Sequence, residues 1–284
     1  GLLHVLPGGA EAGQALVEAP GVPMIAFTGS TAAGRRIGEL AGRHLKKVAL
    51  ELGGKNALIV LDDADLDKAV SAVAFGAYFH QGQICMATGR VLVQRPIAAE
   101  LTRRLAEKAR QLPVGDPARA QVALGPIIDQ RQLQHVADLV RRSVEAGAVV
   151  EAGATHEGLF YAPTVLSNVQ PGMPTFDEEV FGPVANLTVF DSDDEAVALA
   201  NRTEYGLSAG VLSASVGRAL ALGQRLHAGL LHINDQTVAD EGVNPFGGTG
   251  ASGNGTSMGG PADWEAYTHW QWVTLRDVPP QYPF

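Results

Sequence analysis

Cys85 is the only cysteine in the chain and the residue best suited to nucleophilic chemistry. It lies in His80-Gln81-Gly82-Gln83-Ile84-Cys85-Met86-Ala87. A lone cysteine is commonly a small buried hydrophobe. This one falls just beyond an amphipathic stretch, after a glycine that lets the backbone approach another group. A thiolate stabilised there by a neighbour can attack an electrophilic carbon. His80 is one such neighbour, although a histidine in a turn is as readily polar surface. Glu51, in Ala49-Leu50-Glu51-Leu52-Gly53-Gly54-Lys55-Asn56, is a carboxylate inside an apolar strand-like run. Burial raises the pKa of such a group unless it is paired. It is either an outward charge on an edge strand or a general base at a strand end, with glycines leaving room for water. Phe27-Thr28-Gly29-Ser30-Thr31-Ala32-Ala33-Gly34 reads as strand, glycine turn and helix start. Free N–H groups in that order suit a phosphate, or simply mark a capped helix. Glu178-Glu179-Val180-Phe181-Gly182-Pro183-Val184, taken alone, reads as a turn.

The elements that must position these residues alternate along the chain. Short apolar runs predict strands at 24–27, 47–52, 57–61, 90–94, 185–190, 207–212 and 230–234. Amphipathic stretches predict helices at 34–45, 66–79, 98–112, 131–146, 194–201 and 217–226, with Ser30 and Asp65 as caps of the first two. Leu45 falls on the apolar stripe of the first. Strand–helix alternation implies crossover connections and a largely parallel sheet covered on both faces, an α/β fold. Bulky residues alternate again at 269–276, which reads as a late strand outside the alternating block.

Composition narrows the function classes. With 46% hydrophobic and 18% charged residues the chain can bury a real core and is not a disordered segment. The net charge of −9 argues against a nucleic-acid partner. No apolar run reaches the roughly 18 residues of a membrane span, and no signal-peptide pattern opens the chain. One cysteine excludes an internal disulfide and a multi-thiolate zinc site, so no metal is expected and a reducing, cytoplasmic setting is the default. The chain starts at Gly1 with an element in progress, and is read as the C-terminal part of a longer protein or as a processed product.

In this order, Phe27–Gly34, Glu51-Leu52-Gly53-Gly54-Lys55, Gly82-Gln83-Ile84-Cys85 and Glu179-Val180-Phe181-Gly182-Pro183 resemble the aldehyde dehydrogenase superfamily. Pro245-Phe246-Gly247-Gly248 and Ser252-Gly253 match as well, so the resemblance covers essentially the whole chain. Within it, residues 80–90, Asn234-Asp235-Gln236-Thr237-Val238 and the closing Gln281-Tyr282-Pro283-Phe284 are most similar to benzaldehyde, salicylaldehyde and vanillin dehydrogenases.

The resemblance implies that Cys85 attacks the aldehyde and that Glu51 activates the water hydrolysing the resulting thioester. It implies that Glu179 binds the nicotinamide ribose, that Phe181 contacts the nicotinamide, and that Thr28, Gly29 and Ser30 lie at the nicotinamide or pyrophosphate end of NAD or NADP. Lys55 becomes an electrostatic or structural support. Phe79, Ile84, Met86, Thr237 and Phe246 become substrate-lining residues, and Phe79 and Phe246 sandwich or edge-stack an aryl ring. By the same resemblance, 1–53 is the second half of a Rossmann-like cofactor domain, 54–250 a catalytic domain, and 251–284 a tail whose strand joins a homodimer or homotetramer. Family members carry further residues upstream, among them an oxyanion-hole asparagine and the groups choosing between NAD and NADP, so the activity belongs to the complete protein. Two alternatives remain: acyl transfer to coenzyme A, against which Glu51 speaks, and a non-catalytic protein that keeps only the fold.

Overall fold

The computed structural model describes residues 1–284. The chain opens with α1 (Ala10–Glu18), β1 (Met24–Thr28), α2 (Thr31–Arg43) and β2 (Lys47–Glu51). β1 and β2 form a two-stranded parallel sheet that sets Thr28 opposite Glu51. There follow β3 (Asn56–Val60), α3 (Leu66–Tyr78), β4 (Thr88–Gln94), α4 (Arg95–Gln111), α5 (Gln130–Glu145) and β5 (Val149–Ala152). A small hairpin of β6 (His156–Glu157) and β7 (Phe160–Tyr161) leads to β8 (Thr164–Ser167), α6 (Pro174–Asp177), β9 (Val184–Phe190) and α7 (Asp193–Ala200). The remainder holds β10 (Tyr205–Gly206), β11 (Ser208–Leu212), α8 (Val216–Gly223), β12 (Leu230–Ile233), β13 (Thr249–Gly250) and α9 (Ala262–Tyr267).

Seven strands join in the order β12-β11-β3-β4-β9-β8-β5, parallel throughout except where β5 pairs with β8. Every residue of β3 is buried, because successive side chains enter opposite cores. Ala57 and Ile59 pack with Leu133, Val136 and Leu139 of α5 and with Leu222 of α8. Leu58 and Val60 pack with Val70 and Val73 of α3 and with Leu101 and Leu105 of α4. The sheet is therefore parallel at its centre and covered on both faces, as the alternation predicts. No helix is long and apolar enough to cross a membrane.

The two expected caps are made. Ser30 Oγ accepts from the Ala33 N–H and Asp65 from the N–H groups of Asp67 and Lys68. One expectation fails. Leu45 lies beyond α2 in a left-handed conformation and is exposed, because the chain turns at His44 and Lys46 N–H donates back to Ala41 O. Residues 269–276 form no strand, and Trp270 and Trp272 stand 98% and 91% exposed. A strand needs a neighbour for its N–H and C=O groups, and none lies beside this segment within the chain. Helix α1, not anticipated, buries only Val17.

Candidate active site

Three segments distant in sequence converge where β2 ends and β3 and β4 begin. Glu51 closes β2. Its neighbours are held by a returning segment: Leu52 N–H donates to Ser252 O (2.9 Å) and Leu50 N–H to Asn254 Oδ1 (3.0 Å). The Glu51 carboxyl is 3% exposed, its Oε2 has no hydrogen-bond partner, and burial pushes its pKa up to about 7. The two glycines that follow permit the close approach of the other segments. A Cβ at Gly53 would overlap the Glu179 carboxylate, and one at Gly54 would overlap the Cys85 carbonyl oxygen.

Cys85 sits on the loop between α3 and β4 and is half-buried. Asn56, the first residue of β3, donates through Nδ2 to Cys85 O and Ala87 O, both at 2.8 Å, while its Oδ1 accepts from Ser208 N–H at 2.9 Å. This amide ties the loop to two strands of the main sheet. Burial raises the Cys85 pKa; the Met86 N–H opposes the shift, and the nearby carboxylates of Glu179 and Glu51 reinforce it. A thiol held protonated by its surroundings needs a base to release its proton.

Glu179 Oε1 accepts from Gly54 N–H at 2.9 Å. Burial raises its pKa, opposed first by that hydrogen bond and then by Lys55. Lys55 is 2% exposed with no partner on Nζ; burial and the charge of Arg90 lower its pKa to about 7. Arg90 is buried as well. It donates to Lys55 O from Nε (3.0 Å) and Nη2 (2.7 Å), and also to Leu199 O and Ala200 O, so it locks the backbone beside Asn56. A cavity of about 20 Å³, room for about one water, is lined by Gly54, Lys55, Ile84, Glu179 and Phe181 among others. It brings the cysteine loop, the lysine and the 179–181 segment onto one space.

Thr28, Gly29 and Ser30 sit at the β1–α2 junction, and Gly29 N–H donates to Glu51 O at 3.0 Å. The expected substrate residues do not form one wall. Ile84 and Met86 flank Cys85 in the chain, with Met86 buried. Thr237 is fully buried and its hydroxyl is spent on Met86 O (2.7 Å) and Thr88 Oγ1 (2.8 Å), so it supports the loop from behind. Phe79 is partly exposed and stacks on Phe75, ring centres 4.7 Å apart. Phe246 pairs through its backbone with Met258 and lines a different cavity with His232, Asp235 and Glu241. Phe79 and Phe246 thus sit on different segments, the first stacked on α3 and the second paired with Met258. Asn56 is the residue that sequence reasoning missed. A polar amide heading the apolar run Ala57-Leu58-Ile59-Val60 was its signal, since a buried amide must find partners.

A parallel α/β sheet thus gathers a half-buried cysteine, a buried carboxyl and a second carboxylate at its strand ends. The chain belongs to the aldehyde dehydrogenase family, whose model matches residues 1–273. It is 58% identical over its whole length to vanillin dehydrogenase of an Amycolatopsis species, covering 59% of that protein. It is 51% identical to the NAD(+) benzaldehyde dehydrogenase of Pseudomonas putida, again over its whole length, covering 58% of it. The crystal structure of a salicylaldehyde dehydrogenase from Pseudomonas putida G7 complexed with salicylaldehyde superposes with a TM-score of 0.92 at 40% identity, over 96% of this chain and 57% of that one. The chain thus spans somewhat over half the length of these relatives.

Proposed function

We propose that the complete protein oxidises an aldehyde, aromatic by preference, to the carboxylic acid with NAD or NADP. The observation carrying this reading is the convergence of Cys85, Glu51 and Glu179 around the Gly53-Gly54 approach. In it, Cys85 Sγ attacks the carbonyl carbon to give a thiohemiacetal, and the Cys85 N–H faces the developing oxyanion. The nicotinamide, when bound, supplies the hydride acceptor that turns the thiohemiacetal into a thioester. The cofactor residues fit such a group. Glu179 spends one oxygen on Gly54 N–H and keeps a carboxylate to accept ribose hydroxyls, and the Ser30-capped start of α2 offers N–H groups toward an anion. Glu51 then takes a proton from water as the water attacks the thioester, releasing the acid and restoring the thiol. A buried carboxyl with a free oxygen favours this hydrolytic outcome over transfer to coenzyme A. A reducing, cytoplasmic setting suits a mechanism that needs a free thiol.

The aromatic preference draws support from the names of the relatives and from the apolar Ile84 and Met86 beside Cys85, not from the separated phenylalanines. Comparing kcat/KM for benzaldehyde, hexanal and succinic semialdehyde tests it, with benzaldehyde expected to lead. A tenfold lead for either competitor, about 1.4 kcal/mol in transition-state binding, would overturn the preference. Failure of all three to be oxidised with either cofactor would overturn the activity.

For assembly, we propose a homodimer or homotetramer in which the exposed 269–276 segment gains a strand neighbour from another copy. Trp270, Trp272 and Leu275 lie in the open along this segment, more apolar surface than an isolated tail usually carries. Sedimentation of the complete protein at micromolar concentration should show a dimer or larger; a monomer would refute this.

A further inference from the structure

The loop that delivers Cys85 begins with a backbone conformation that L residues rarely adopt in succession. His80 (φ 51°), Gln81 (φ 58°) and Gly82 (φ 65°) are consecutive left-handed residues, and Phe181 in the facing loop is left-handed too (φ 49°). The two loops are in close register, since a Cβ at Gly82 would overlap the carbonyl of Gly182. Strained conformations persist only where their surroundings hold them, and one short segment holds both. With its amide oriented to satisfy both partners, Gln81 accepts from Gly125 N–H at 2.8 Å and donates to His80 O at 3.2 Å. Gln83 Oε1 accepts from Ile128 N–H at 2.9 Å. In the first turn of α5, Gln132 Nε2 donates to Val180 O at 3.1 Å and to Phe181 O at 3.0 Å. The segment is itself anchored: Leu124 and Ile127 are buried, Ile127 N–H donates to Leu159 O at 2.8 Å, and Asp129 caps α5.

We propose that residues 125–132 act as a bracket that fixes the nucleophile turn and the 179–181 loop in one register, with Gln83 and Gln132 as its positioning residues. This rests on the reading of Cys85 as nucleophile and of residues 179–181 as cofactor-binding. The bracket differs from simple packing in its polarity. Gln83 serves chiefly as an acceptor, from Ile128 N–H at 2.9 Å, with its Nε2 reaching Pro126 O only at 3.5 Å, whereas Gln132 is needed as a donor to two carbonyls. Glutamate has the same shape as glutamine, so it can replace Gln83 but at Gln132 sets a carboxylate against two carbonyl oxygens.

The test uses four variants of the complete protein: Gln83→Glu, Gln83→Ala, Gln132→Glu and Gln132→Ala. Three quantities are read: alkylation of Cys85 by iodoacetamide, followed by intact mass; the Kd for NAD; and the melting temperature. Gln83→Ala should slow alkylation at pH 7 about fivefold as the turn that carries Cys85 loses its anchor on Ile128 N–H, with the Kd for NAD unchanged. Gln83→Glu should behave as wild type in both. Gln132→Glu should raise the Kd for NAD about tenfold or more and Gln132→Ala less, both with wild-type alkylation. Equal effects of glutamate at the two positions, or losses that simply follow the melting temperature, would overturn the bracket. Should the wild-type protein bind no NAD, the Gln132 variants are read with NADP instead; wild-type protein that binds neither would overturn the functional reading and the Gln132 half with it, while the alkylation measurement still decides the Gln83 half.

Discussion

Replacing Cys85 by alanine in the complete protein is expected to reduce aldehyde oxidation on the order of 10⁵-fold, as for other enzymes stripped of a covalent nucleophile, while NAD still binds. No other cysteine occurs among residues 1–284 to take its place. The carboxylates nearest to it, Glu179 and Glu51, are placed to accept protons or hydroxyl groups rather than to form the thioester. The change leaves the loop standing, because the bonds from Asn56 go to the carbonyl oxygens of residues 85 and 87 and not to the sulfur. Steady-state formation of reduced cofactor and calorimetric titration with NAD separate the two effects. Turnover in this variant within a hundredfold of wild type would remove Cys85 from the mechanism.

Glu51→Gln is expected to give a different failure: one equivalent of reduced cofactor in a rapid burst, then a steady rate lower by about 10²- to 10⁴-fold, the usual worth of a general base. The amide keeps the shape of the carboxyl but cannot take a proton from water, so the thioester forms and stalls. The same residue sets a pH dependence. With its pKa pushed up to about 7, Glu51 is ionised and competent above that pH and protonated and idle below it. Wild-type deacylation should therefore fall as pH drops through about 7, and the residual rate of Glu51→Gln should lack that limb. Fold stability depends on pH through the same carboxyl. A carboxyl whose folded pKa lies above its ordinary value of 4.5 costs the fold stability once it ionises, from pH 4.5 upward. Removing its charge is then not expected to lower the melting temperature at pH 8, so lost turnover cannot be put down to unfolding. Rapid-mixing kinetics showing no burst and steady turnover like wild type would refute the role of Glu51.

The strands and helices around the site were legible because their signal is local. An unbroken apolar run such as Ala57-Leu58-Ile59-Val60 belongs to a strand covered on both faces, and the caps Ser30 and Asp65 carry the side chains that helix starts require. The late segment 269–276 shows the limit of that local signal. Alternation along a strand describes what the residues would bury if a neighbour existed, and no neighbour lies beside them in the chain.

Residue type and motif order by themselves determined that Cys85 and Glu51 were the groups to weigh, since a single thiol and a carboxylate in an apolar run have few chemical uses. Only the tertiary structure decided what surrounds them. It made Asn56 and Arg90 the ties that fix the cysteine loop and the backbone beside it, left the Lys55 amine buried without a partner, and spent the Thr237 hydroxyl on holding that loop from behind. The physical reason is range. Periodicity and capping act over a few residues, whereas the desolvation of Glu51, the contact of Gly54 with Cys85 and the grip of residues 125–132 on two loops arise only when strands far apart in the chain lie side by side.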